Sequence, residues 1–232
     1  MFNDDHNASP INPLPPVVIL FCVAIAGVEL VFQAAERGVL GGAMSIGWRM
    51  DAIRSYGYFN SVLSWMIQTG RTPPEHLLRF ISYPFVHEGL SHAIFAVVFI
   101  LAIGKMVAEA FSTLAFVLIF FLSSIAGALA YSLITTNVPL IGAYPPVYGL
   151  IGAMTFMLWV RAKVEGNSQV RAFSLIAALL GIQLVFKLIF GGGSDWIADL
   201  AGFATGFLLS FVLAPNGYQR VLRALERVRR RG

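Results

Sequence analysis

The chain has 232 residues, of which 57% are hydrophobic and only 12% charged, with 19 Phe and a formal net charge of +4. Soluble domains carry about 25% charged and about 45–50% apolar residues, so this composition excludes an ordinary soluble domain and indicates a polytopic membrane protein. The positive balance does not indicate nucleic acid, because six Arg crowd into the last thirteen residues, "RVLRALERVRRRG", a juxtamembrane cluster of the kind that marks a cytoplasmic face and touches anionic lipid.

Residues 1–14, "MFNDDHNASPINPL", are acidic and lack the basic start of a signal peptide. The first apolar run, at about 15–35, is therefore expected as a retained helix behind a short N-terminal tail. Cys22, the one cysteine, lies inside this run and excludes an internal disulfide; it reads as a small buried hydrophobe. Glu29 follows in the same run, where an ionisable group is expensive and marks a position with a purpose. Residues 36–84 are too long for a simple connection and too apolar for disorder, so an ordered exoplasmic loop is expected. Within it, "MDAIRSYGYFNSVLSWMIQ" reads as a short amphipathic helix lying in the interface.

Five more apolar runs follow, at about 85–110, 113–134, 146–162, 170–190 and 195–214, each near the roughly 17–25 residues that cross a bilayer. The expected fold is an all-α polytopic membrane protein, a six-helix bundle over 15–214 with a basic tail at 215–232. Six spans put both termini on one side. The tail arginines, Lys105 between helices two and three, and Arg161, Lys163 and Arg171 between helices four and five place that side in the cytoplasm. Arg37, Arg49, Arg54, Arg71 and Arg79 in the long loop do not overturn this, since long loops translocate largely regardless of charge.

Helix two opens with "FVHEGLSHAIFA", placing His87 and His92 five residues apart. On one helix that is about 500°, an offset of about 140° between the rings, so no shared metal is expected, and no cofactor either. Glu109 lies near Lys105 and reads equally as an interfacial pair or a structural hydrogen-bonding group. Asp199 sits one turn before Gly202 in "DWIADLAGFATGFLL", and Gly206 continues a small-residue seam that lets another helix come close. Helix four offers a matching surface in Gly149, Gly152 and Ala153, with Tyr148 at the same end. Spacing alone favours plain glycine packing, and leaves open a purposeful meeting of Tyr148 with Asp199.

Together these motifs resemble the rhomboid family of intramembrane serine proteases. The family's second helix carries an Arg, a His eight residues later, a second His five further and an Asn four beyond; here stand Arg79, His87, His92 and Ala96. A Gly and a Glu near that helix's end are matched by Gly104 and Glu109, with one extra residue between them. The family's Gly-x-Ser-Gly, whose Ser is the nucleophile, aligns with "PVYG", so Tyr148 takes the Ser position and Gly149 the second Gly. Its His-x-x-Gly-x-x-x-Gly aligns with "DLAGFATG", so Asp199 takes the position of the base ahead of Gly202 and Gly206.

The resemblance implies a six-helix rhomboid-like bundle with a site open to the exoplasmic side. It also implies lost chemistry. A phenol of pKa about 10 cannot be activated by an ordinary carboxylate at neutral pH, and Ala96, beside His92 in the oxyanion positions, removes a donor whose loss costs about 10²–10³ in rate. The expectation is a rhomboid-like pseudoprotease of a bacterial inner membrane, both termini cytoplasmic, that binds transmembrane segments of client or partner proteins in quality control or assembly. The alternatives are an active intramembrane serine-type endopeptidase and a structural subunit of a larger membrane complex. A hydrogen bond from Tyr148 to Asp199, with His92 contributing, is expected to replace the catalytic dyad.

Overall fold

The computed structural model describes residues 13–133, 138–190, 195–215 and 217. The two expected tails, 1–14 and 215–232, lie almost wholly outside the described residues. Helix α1 (Pro16–Glu36) starts on prolines whose missing N–H groups would be unsatisfied there anyway. It buries Val18, Phe21, Ile25, Glu29 and Phe32 at helical spacing, which fixes the stripe turned toward the bundle.

The long loop holds three helices, α2 (Trp48–Tyr56), α3 (Asn60–Thr69) and α4 (Pro74–Ser82). The single amphipathic helix expected within residues 50–68 is thus two. The break falls where Tyr58 pairs with Leu140 in an isolated antiparallel bridge, with N–H to O distances of 3.1 and 2.8 Å. That pairing needs extended backbone, which a continuous helix cannot supply. A Cβ on Gly57 would come within 2.5 Å of the Ile53 carbonyl, so the break tolerates little but glycine.

The second span, Leu90–Ala110, comprises α5 (Leu90–Phe99), a π-helical turn (Ile100–Gly104) and α6 (Lys105–Ala110). It begins five residues later than the expected 85, because Tyr83–Phe85 form a 3₁₀ turn and Val86 is extended. Arg79 therefore lies on α4, outside this span, and His87 precedes the helix. The surplus residue between Gly104 and Glu109 falls beside the π-helical turn, a form that takes up an extra residue without breaking a helix. Lys105 and Glu109 approach to 3.9 Å, one turn apart on α6.

Helix α7 (Thr113–Tyr131) is capped by the Ser112 hydroxyl, which accepts from the Ala115 N–H at 3.1 Å. Helix α8 spans Tyr144–Val164, α9 Ser174–Phe190 and α10 Trp196–Leu213. Five spans are long and apolar enough to cross a membrane among the described residues; the remaining expected span is the 17-residue α9, behind a 3₁₀ turn at Gln169–Phe173. The main core joins α1, α5, α7 and α8 around Phe21, Phe116 and Phe120. A second cluster, Tyr58, Phe80, Tyr83 and Tyr131 among others, seats the loop helices on the C-terminal end of α7.

Helices α8 and α10 touch backbone to backbone. A Cβ on Gly206 would collide with the Gly149 carbonyl, one on Gly202 with the Pro145 carbonyl, and one on Gly152 with the Phe203 carbonyl. Helix α7 joins through Gly127, where a Cβ would lie 2.7 Å from the Pro145 Cβ. Gly206→Ala is accordingly expected to lower stability by at least the roughly 1–3 kcal/mol of core overpacking, while Gly27→Ala, with open space around it, leaves thermal unfolding in detergent unchanged or shifts it upward.

A buried ion pair ties the loop to α1. Arg49 of α2 donates to both Glu29 carboxylate oxygens at 2.8 and 3.0 Å and to Glu36 at 2.5 Å. It also donates to the His87 carbonyl at 2.9 Å and lies over the Phe32 ring. Gln33 donates to Glu29 as well, at 2.9 Å. Removing one partner strands the other charge, so Arg49→Ala is expected to cost about 3–5 kcal/mol, read as a lowered melting temperature, with Glu36→Ala on the exposed side costing far less.

Candidate functional site

The N-terminal ends of α8 and α10 and the start of α5 meet at the end of the bundle covered by the loop helices. The segment before α5 is held by backbone bonds to the segment before α8: the Gly142 N–H donates to the carbonyls of Tyr83 (3.0 Å) and Val86 (2.8 Å). The Ala143 N–H donates to His87 Nε2 at 3.3 Å, which leaves the His87 proton on Nδ1. Burial, aided by the His92 ring, pushes His87 down to about 3, so it is neutral at physiological pH. His87 is a buried buttress between two chain segments.

His92, in the first turn of α5, accepts from the Glu88 N–H through Nδ1 at 3.3 Å. Its ring stacks on Tyr144 (centroids 4.9 Å, 16° between planes) and meets His87 edge-on at 5.2 Å. The two imidazoles are therefore neighbours, and the 140° offset expected for residues on one helix does not apply. His87 lies in non-helical chain before α5. No group of three metal-ligating side chains occurs among the described residues.

Tyr148 is buried in the main core one turn below Tyr144. Asp199, 1% exposed, lies on the first turn of α10 and lines a cleft with Tyr144 and Pro145 of the first turn of α8. Tyr148, Asp199, Gly149, Gly202 and Gly206 are thus brought together, with His92 close by, and Ala96 is fully buried on α5. Arg79 stands apart, donating to the Gly57 carbonyl at 2.8 Å. Gly104 packs on Phe116, and Glu109 lies at the opposite end of the second span.

A cleft of about 200 Å³ opens at this end, lined by His92, Ile141, Tyr144, Pro145, Asp195 and Asp199 among others. Reading along the chain missed Tyr144 and Asp195, which a search one turn upstream of each motif finds. It also missed Ser123 of α7, whose hydroxyl reaches the space beside Gly149 and donates to the Gly202 carbonyl at 3.2 Å; no local spacing connects it to α8.

The Rhomboid domain family model matches residues 74–216, more than half of the chain. The chain belongs to the rhomboid family. It is similar to Inactive RHOMBOID-like protein 8 of Arabidopsis thaliana, 32% identical over 141 residues, 61% of this chain and 38% of that protein. Rhomboid-like protease 3 of Toxoplasma gondii is 30% identical over 136 residues, 57% of this chain and 50% of that protein. RHOMBOID-like protein 4 of Arabidopsis thaliana is 28% identical over 135 residues, 58% of this chain and 34% of that protein. The chain thus spans between about a third and a half of these rhomboid relatives. Its apolar helices and family together make it an integral, multi-pass membrane protein.

The rhomboid cleft depends on Gly142, which sits at φ +87° with the place of a Cβ only 2.6 Å from His92 Cε1. Gly142→Ala is expected to displace His92 from Tyr144 and to cost about 1–3 kcal/mol through backbone strain, seen as a lowered melting temperature and altered histidine resonances.

Proposed function

We propose that this rhomboid is proteolytically inactive and binds transmembrane segments of client or partner proteins, in membrane-protein quality control or assembly. One observation carries the reading: the position of the family nucleophile holds the buried phenol of Tyr148, and that of the family base holds Asp199. An acyl-transfer site needs a hydroxyl or thiol poised on a base. The hydroxyl that does reach this region, on Ser123, is engaged with a backbone carbonyl. Gly149, Gly202 and Gly206 are retained while Pro146 takes the motif's first Gly, which supports a largely kept shape with exchanged chemistry. On this reading Tyr148 and Asp199 are degenerate dyad positions, His92 and Ala96 degenerate oxyanion positions, and the phenol hydrogen-bonds Asp199, satisfying groups whose burial otherwise costs several kcal/mol.

The same reading places both termini in the cytoplasm and the cleft on the exoplasmic side, with lipid and client helices as partners. Assignment to a bacterial inner membrane belongs to it as well, although the named relatives are eukaryotic. A second reading, an active intramembrane endopeptidase, is favoured by the protease name of the Toxoplasma relative. Purified protein incubated with a general transmembrane substrate and a serine-reactive phosphonate is expected to give neither cleavage nor labelling. Cleavage that Tyr148→Phe abolishes overturns the inactive reading. Pull-down from native membrane is expected to recover many substoichiometric membrane proteins, whereas one stoichiometric partner identifies a structural subunit instead.

A further inference from the structure

Two arginines of the long loop, Arg49 and Arg79, are half-buried, and only one of them has its charge answered. Arg49 is met by Glu29 and Glu36. Arg79, on α4, uses one N–H on the Gly57 carbonyl and lies over the Phe59 ring at 5.9 Å. Its Nε is enclosed without a partner, and no carboxylate pairs with it among the described residues. Glu75 stands four residues earlier, where a helical partner would be, yet it is exposed and makes no ion pair. His76, one turn before Arg79, likewise has an enclosed Nδ1 without a partner, and its ring meets Trp65 edge-on at 5.3 Å. Burial lowers the Arg79 guanidinium from its ordinary range with no charged neighbour to offset it. A charge drawn out of water without a counter-charge is costly, and orphaned donors gathered on one helix are accounted for by an ion that they bind.

The surroundings select the ion. Leu77 and Leu78, between the two polar residues, are exposed, as are Trp65 and Ile67 of α3. Helix α4 is seated through Phe80 on the C-terminal end of α7, a membrane span, so this rim lies where headgroups meet hydrocarbon. We infer that His76 and Arg79 hold the phosphodiester of a membrane phospholipid, its acyl chains lying against the exposed apolar side chains beside them. Phosphate oxygens match the guanidinium fork through two parallel N–H bonds, and the imidazole adds another donor. A free phosphate ion carries the same chemistry but gains nothing from the apolar rim. Helix α4 continues through the 3₁₀ turn to Tyr83 and Val86, whose carbonyls hold the Gly142 N–H. A lipid seated here therefore braces one wall of the cleft.

The test titrates the full chain, purified in phosphate-free dodecyl maltoside, with dioleoyl phosphatidylcholine and with galactosyl dioleoylglycerol, which keeps the acyl chains and lacks the phosphate. Bound lipid is measured by native mass spectrometry. Phosphatidylcholine is zwitterionic, so the basic tail exerts no net pull on it. It is expected to bind about tenfold tighter than the galactolipid, the scale of a charge-assisted hydrogen-bonded pair. Arg79→Gln is expected to abolish that preference, and His76→Phe, which keeps a ring against Trp65, to reduce it at least about threefold. Millimolar inorganic phosphate is expected to leave the lipid bound. Equal binding of the two lipids overturns phosphate recognition. Displacement by inorganic phosphate assigns the site to the free ion and overturns the lipid. A preference that either variant retains in full overturns the placement on α4; His76→Phe leaves the bond to Gly57 intact and decides this alone if Arg79→Gln does not fold.

Discussion

At the glycine seam between α8 and α10 no side chain fits, and most of the site's geometry follows from that. Lipid offers helices no hydrophobic reason to associate, so packing must come from dispersion contact and polar bonds, which strengthen as backbones approach. Gly149 and Gly152 on one helix and Gly202 and Gly206 on the other remove every Cβ that would hold the axes apart. The same register brings the N-terminal ends of the two helices together and leaves their first turns to form the walls of a cleft. Helix α7 completes the junction through Gly127 and through the Ser123 hydroxyl bonded to the Gly202 carbonyl.

The loop helices are held to this junction by polar groups that apolar surroundings make expensive to leave unpaired. Arg49 gathers Glu29, Glu36 and the His87 carbonyl, so one guanidinium connects α1, α2 and the segment leading into α5. From His87 the chain of contacts continues to Ala143 at the head of α8. The cleft is therefore anchored on one side by glycine packing and on the other by a buried ion pair, two forces with different dependence on solvent.

Much of this was legible in the chain. Helices announced themselves by apolar runs, and the small-residue seam was visible as Gly202 and Gly206 facing Gly149 and Gly152. That Tyr148 and Asp199 stand at the same end of α8 and α10 could be anticipated from two motifs at the starts of two spans. The loop was harder. Its apolar pattern fitted one interfacial helix, and only the bridge between Tyr58 and Leu140, eighty residues apart in rough measure, splits it in two. His87 and His92 escaped for a related reason: helical spacing describes only two residues on one helix, whereas His87 lies in non-helical chain before α5.

The sequence by itself determined the class, the approximate place of the apolar spans and the family, because hydropathy and motif spacing are local properties that survive without a partner. The tertiary structure alone decided that Arg49 answers Glu29, that Ser123 reaches Gly149, that the two histidines touch and that Asp195 joins Asp199 on one cleft. Each of those relations joins segments whose separation along the chain carries no record of their distance in space, since side chains from different helices meet only when the packing of backbones has brought them there.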